Sequence, residues 1–173
     1  MKSINSLSEF IEKLDESDLK TLPKIIKSVA IPLSEFEKYA TWNQESYTRN
    51  CIARTDTYEL ILLCWEKNQG TQIHEHGGQK CWVYQINGEV NERRYQKNES
   101  GNLSETLKIH LSAGNITYMD NEMGYHTLKN TGNQRAMTLH IYVKPIDSCK
   151  VFCNEKKDFI TKELEYDSLV KEI

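Results

Sequence analysis

Two of the chain's five histidines stand at i, i+2 in Gly70-Thr-Gln-Ile-His74-Glu-His76-Gly-Gly78. A third follows fifty residues later in Gly124-Tyr-His126, four residues before Asn130. Extended backbone turns side chains at i and i+2 to the same face, so His74 and His76 are spaced to chelate one metal. Gly77-Gly78 allows a tight bend after them, and His126 on a separate strand would complete a three-nitrogen cage. The plainer reading of the same residues is two exposed edge-strand histidines and one packed in the core. Neutral imidazoles leave a divalent ion's charge uncompensated and invite an anionic ligand such as a substrate thiolate. A three-histidine zinc site would instead use water and hydrolytic chemistry.

Thr138, His140 and Tyr142 alternate with Met137, Leu139, Ile141 and Val143, which predicts a strand with one polar and one apolar face. The polar face is expected to look inward as a hydrogen-bond chain. Thr138 would fix the His140 tautomer, and His140 would orient the Tyr142 hydroxyl. A half-buried aromatic is the plainer reading of Tyr142. Tyr47 and Arg49 share one face of an earlier strand; the planar fork of Arg49 suits a carboxylate, although an isolated arginine is commonly a surface ion-pair residue. The cysteines, at 51, 64, 81, 149 and 153, are odd in number and lack zinc-type pairing. Reduced thiols in a cytoplasm account for them better than a disulfide framework.

The elements that position these residues fall into two regions. Before Trp42, helical spacing recurs in Leu7, Phe10, Ile11 and Leu14 and again in Leu19, Leu22, Ile25, Ile26 and Val29, while Ser34-Glu-Phe-Glu has the form of a capped third helix. All eight glycines lie between Gly70 and Gly132 and separate β-rich runs at 58–65, 81–86, 90–95, 107–111, 115–118 and 136–143, the pattern of a sandwich or barrel. Asn87-Gly88 predicts a type I′ hairpin, and 98–103 a polar loop. At 173 residues the chain is expected to form one domain (1–173), with a helical layer over 1–44, a β-barrel over 45–155 and a tail over 156–173 that adds a strand and a terminal helical turn.

Twenty-five acidic against 22 basic side chains give a net charge of -3, which supplies no footprint for nucleic acid or anionic lipid. The longest apolar run, 60–65, is far short of the roughly 20 residues of a membrane helix. No secretory signal is visible at the N-terminus.

Together these segments resemble the cysteine dioxygenases, iron-dependent thiol dioxygenases of the cupin superfamily, over Tyr47 to Cys149. Tyr-Thr-Arg-Asn at 47–50 is similar to the family's substrate-carboxylate segment, which implies Arg49 as anchor and Tyr47 as its neighbour. Ile-His-Glu-His, followed after four residues by Cys81 and then Gly88, resembles the first cupin motif with cysteine in place of the usual glutamate. Gly-Tyr-His126 matches the third iron ligand, and Leu-His140-Ile-Tyr142 the segment carrying the catalytic tyrosine and its histidine partner, with Thr138 where the family often has serine.

The resemblance implies a mainly β cupin barrel (double-stranded β-helix or jelly roll) behind an N-terminal layer of short α-helices. It further implies one Fe(2+) per chain on His74, His76 and His126, and oxidation of L-cysteine by O2 to L-cysteine sulfinate; separately, the chain is expected to be a cytoplasmic monomer. A Cys81–Tyr142 thioether, as in eukaryotic-type members, is implied as well. Val143-Lys144-Pro145 departs from the family's Ser-Pro-Pro. Three alternatives stand beside this reading. The first is a dioxygenase for another small thiol such as 3-mercaptopropionate, whose enzymes usually carry glutamine at the Arg49 position. The second is a non-catalytic metal- or ligand-binding cupin, for which no separate output region is available. The third is a three-histidine zinc hydrolase or lyase, in which Cys81 and Tyr142 would have no evident purpose.

Overall fold

The helical spacing of Leu7, Phe10 and Leu14 produces α1 (Leu7–Asp15) in the computed structural model, which describes residues 2–99 and 101–169. Ser6 caps it, its Oγ accepting from the Glu9 N–H at 3.2 Å. Pro23 favours a first-turn position, and α2 accordingly spans Leu22–Lys27. Leu19, expected on the same helix face, is left 51% exposed in the preceding turn. The third helix, α3, runs Leu33–Glu37 with Pro32 at the cap position. Ser34 therefore sits inside the helix and does not cap it, because the extended ψ of 146° at Pro32 already turns the chain into the first helical residue.

The strands are β1 (Thr48–Arg54), β2 (Tyr58–Trp65), β3 (Cys81–Asn87), β4 (Glu89–Lys97), β5 (Leu103–Ser112), β6 (Ile116–Met119), β7 (Tyr125–Asn130), β8 (Ala136–Val143), β9 (Ser148–Cys153), β10 (Asp158–Glu163) and β11 (Ser168–Leu169). One sheet has the order β11-β1-β2-β8-β3-β6 and another β5-β4-β7, with β9 and β10 paired. The 70–74 segment stitches β7 to β9 through isolated bridges, Gly70 to Lys129 and His74 to both His126 and Val151. Alternation along β2 and β8 divides the core. Leu60, Leu62, Leu139 and Ile141 pack against Phe10, Ile26 and Phe36 of the helices, whereas Ile61, Leu63, Trp65 and Tyr142 join Val83, Val90 and Leu128 between the sheets. The helices thus cover one face of the larger sheet; its other face carries Arg49, Cys81, Thr138, His140 and Tyr142, while His126 stands on β7 of the smaller sheet and His74 and His76 on the segment between β2 and β3.

Asn87-Gly88 does not make a hairpin. Strand β3 pairs with β6 and β8, and β4 pairs with β5 and β7, so the chain passes from one sheet to the other at Gly88. Both edges of β3 are occupied and cannot receive β4; only Gly88 of the pair takes a left-handed φ, 71°. A Cβ there would lie 2.7 Å from Ala136 Cβ and from the Arg135 carbonyl oxygen. Gly88→Ala is therefore expected to destabilise the fold by ~1–3 kcal/mol, combining left-handed strain with overpacking. A lower urea midpoint at unchanged m value would register it.

Strand β5 begins at Leu103, before the expected 107, and shortens the loop to 98–102. Strand β9 was not anticipated. Strand β10 is the one expected after Lys156, and β11 then runs parallel to β1; the expected terminal helical turn falls on 170–173, outside the described residues. After Tyr142 the backbone turns through Lys144 at φ 70°, with no cis peptide bond among the described residues. Among these residues, no helix is long and apolar enough to cross a membrane.

Candidate metal centre and substrate cavity

His74 and His76 do not lie on a continuous strand. The segment is held by reciprocal main-chain bonds between His74 and His126, 3.0 and 2.9 Å, and by Glu75 N donating to the Lys150 carbonyl at 3.1 Å. A left-handed Gly77 follows, where a Cβ would press within 2.9 Å of the Ser148 carbonyl oxygen. Despite the broken strand, the imidazoles converge: one ligand nitrogen from each of His74, His76 and His126 lies within 4.8 Å of the others. His74 Nδ1 sits 2.9 Å from the Gln72 carbonyl, which can only accept, so that nitrogen carries the proton and Nε2 keeps its lone pair. His126 Nδ1 likewise donates to Glu92 at 3.1 Å.

Burial lowers the pKa of all three imidazoles, and the neighbouring histidines reinforce the effect at His76 and His126. The cage is therefore neutral, the form that binds metal. His76 Nε2 and His126 Nε2 stand 2.9 Å apart, and His76 Nδ1 is buried without a partner. Two nitrogens bound at right angles to one ion at about 2.1 Å would be separated by about this distance. The donor set fits a divalent first-row metal.

His74 also lines a cavity of about 260 Å³ with Tyr47, Arg49, His140, Tyr142 and Cys149, smaller than the usual site for a drug-sized ligand. Arg49 Nε donates to the Glu165 carbonyl at 3.2 Å, while its Nη2 is buried with no partner. Tyr47 packs on Trp65 with ring centroids 4.7 Å apart. Burial raises the pKa of Tyr47 and, further, of Tyr142, so both phenols keep their protons at neutral pH. Cys81 lies directly opposite Tyr142 in the β3–β8 register. Its thiol is pushed up by burial, a hydrogen bond with Tyr142 pulling the other way.

The expected chain from Thr138 through His140 to Tyr142 is present only in its first half. Thr138 Oγ1 lies 3.0 Å from His140 Nε2 and accepts from Trp65 Nε1 at 3.0 Å. His140 Nδ1 faces Cys81 Sγ at 4.0 Å, and no His140–Tyr142 hydrogen bond occurs among the described residues. Side chains two apart on a strand stand about 6.8 Å from each other, and the His140 and Tyr142 rings lie side by side, centroids 6.1 Å apart. Burial, followed by the charge of Arg49, lowers the His140 pKa to about 3.

Sequence reasoning missed the support behind His126. Glu92 is fully buried and accepts from Arg94 Nε at 2.9 Å and Thr117 Oγ1 at 2.6 Å as well as from His126. Arg94 in turn donates to Thr117 Oγ1 and the Tyr118 carbonyl, each at 2.8 Å. The available signal was alternation: Val90, Glu92 and Arg94 share the inward face of β4. Cys149, for which the sequence suggested only a reduced thiol, is buried and lines the cavity.

A two-sheet β fold with three convergent imidazoles on its inner wall defines a cupin. Crystal structures agree with that fold: an uncharacterized conserved protein with a double-stranded β-helix domain from Klebsiella pneumoniae superposes with a TM-score of 0.53 over 62% of this chain and 80% of that one at 16% identity. TT1209 from Thermus thermophilus gives 0.52 over 63% and 93% at 17% identity. More specifically, the cysteine dioxygenase type I family model matches residues 1–155, and the chain belongs to that family. It is 27% identical over 145 residues to human cysteine dioxygenase type 1, covering 80% of this chain and 71% of the relative. The Danio rerio protein of that name is 27% identical over 157 residues, with 79% and 78% covered.

Proposed function

We propose that this protein is an iron(II) thiol dioxygenase that converts L-cysteine and O2 to L-cysteine sulfinate, with one iron per chain on His74, His76 and His126. One juxtaposition carries the reading. His74, one of three convergent neutral imidazoles, and Arg49, which has a buried guanidinium nitrogen lacking a partner, line a single small cavity. The neutral cage favours a thiolate as the anionic partner, and the fork of Arg49 meets the carboxylate of the same molecule. Bound iron would supply the redox chemistry that joins sulfur to dioxygen. The sulfur loses four electrons, and O2 accepts them while providing both sulfinate oxygens. Tyr142 and Tyr47 act as protonated hydrogen-bond donors toward the substrate. Thr138 and Trp65 fix the His140 ring, whose Nδ1 faces the Cys81 thiol. Five free cysteines are in keeping with a reducing cytoplasm.

Metal analysis combined with oxygen uptake on L-cysteine, 3-mercaptopropionate and cysteamine tests this reading. Iron, with one O2 consumed per cysteine and sulfinate as product, is the expected result. Preference for 3-mercaptopropionate would change the substrate, zinc without oxygen uptake would change the reaction class, and iron without turnover on any thiol would make the protein a binding cupin.

Cross-strand pairing of Cys81 with Tyr142 also supports the thioether. The thiol S–H and a ring C–H adjacent to the phenol carbon break and a C–S bond forms, with two electrons and two protons passing to O2. After turnover with iron and cysteine, intact-mass measurement should reveal a population about two mass units lighter, and Cys81→Ala should lack it yet keep partial activity. A single unshifted mass after many turnovers would reject the crosslink and leave the dioxygenase assignment standing.

A further inference from the structure

Past the residues matched by the family model, the chain returns to the cavity. Leu164 lines it beside Arg49. Asp167 N donates to the Arg49 carbonyl at 2.8 Å, and Arg49 N donates to Asp167 Oδ2 at 2.8 Å. Ser168 and Leu169 then pair in parallel with Asn50 and Cys51, and Ser168 Oγ donates to Asn50 Oδ1 at 2.7 Å. The Arg49 side chain is held as well: Nε donates to the Glu165 carbonyl, and Cζ lies 5.8 Å from the centroid of the Tyr166 ring. Tyr166 is itself pinned, its hydroxyl donating to the fully buried Glu59 carboxylate and accepting from Arg54 Nη1. Glu59 also receives Arg54 at 2.9 Å and the Ile146 N–H at 3.2 Å.

We propose that the segment from Leu164 to Leu169 is part of the substrate-binding site, with Tyr166 as the positioning residue that aims Arg49 at the carboxylate of a small thiol. The inference rests on the dioxygenase reading above and goes beyond it. Both groups that orient the guanidinium, a main-chain carbonyl and an aromatic ring, are neutral. They restrict the side chain without cancelling its charge, whereas an acidic partner would compete with the substrate. The one acidic side chain of the segment that contacts Arg49, Asp167, is engaged by its main-chain N–H. With Nε occupied, the edge that combines Nε with an Nη nitrogen is closed to a carboxylate. The substrate must be accepted end-on by the two Nη groups, one of which is the buried nitrogen without a partner. Glu59 explains why the strap stays in place, since withdrawing Tyr166 would strip a donor from a buried carboxylate.

The test uses the iron-loaded full chain with Tyr166→Leu, which keeps apolar bulk but removes the ring face, and Tyr166→Phe, which keeps the ring. Asp167→Ala provides an independent release of the strap, and Arg49→Ala serves as the reference. Tyr166→Leu should raise the KM for cysteine, and the anaerobic cysteine Kd from isothermal titration, roughly 3- to 30-fold. The kcat should stay within about 2-fold and cysteamine turnover should not change. Asp167→Ala should act in the same direction, while Tyr166→Phe, which keeps the ring face but loses the anchor to Glu59, should fall between wild type and Tyr166→Leu. An unchanged cysteine Kd in both Tyr166→Leu and Asp167→Ala, with Arg49→Ala still impaired, would overturn the strap alone. Equal losses on cysteine and cysteamine would make Tyr166 a structural residue and also overturn it. No effect of Arg49→Ala would remove the carboxylate anchor on which the inference rests.

Discussion

His74→Ala protein should leave dialysis with less than about a tenth of the wild-type iron, and His76→Ala and His126→Ala should do the same. Removing a mere outer partner of a metal-bound histidine typically costs about 10- to 100-fold in affinity, so deleting a ligand should cost at least as much. Folding should survive best at His74, whose side chain is only partly buried and whose bridges to His126 and Val151 are made by the main chain. At His126 the loss also removes a donor from buried Glu92, but Arg94 and Thr117 still satisfy that carboxylate. Iron per chain, measured after circular dichroism has verified folding, decides the matter. Full metal content in any one variant would remove that histidine from the cage.

Arg49→Ala should raise the KM for cysteine about 10- to 150-fold, because a hydrogen bond to a charged group typically contributes ~1.5–3 kcal/mol. Arg49→Gln should fall in the same direction, keeping donors but losing the charge. The β1 backbone should hold, since the Arg49 N–H and carbonyl that meet Asp167 belong to the main chain. Cysteamine, which has no carboxylate, separates the interpretations: its turnover should be nearly unaffected. Equal loss on both thiols would make Arg49 structural and reduce the substrate assignment to a small thiol.

Much of the site was legible because its residues lie on locally periodic segments. The alternation at Thr138, His140 and Tyr142 placed three polar side chains on one inward face, and Met137, Leu139 and Ile141 between them pack against the helices. Elsewhere the local pattern misled. Asn87-Gly88 has the composition of a hairpin, but positive φ at Gly88 serves a change of sheet. Glu92 and Arg94 resemble solvent-facing charges by residue type, but the face of β4 that they share with Val90 packs toward Thr117 and Tyr118 of β6 in the larger sheet, which buries them behind His126.

The residues alone supply the chemical inventory: an HxH pair, a distant histidine, a phenol and a guanidinium two residues apart, and a cysteine five residues past the HxH pair. Those are properties of residue type and short spacing, which backbone geometry converts directly into shared faces. Tertiary structure alone decided which nitrogens converge, that Cys81 opposes Tyr142, that His140 turns toward Cys81 and not the phenol, and that the C-terminal strap holds Arg49. Each of these depends on pairing between segments separated by dozens of residues. Such pairing is selected by the joint burial of whole sheet faces, and no local periodicity encodes it.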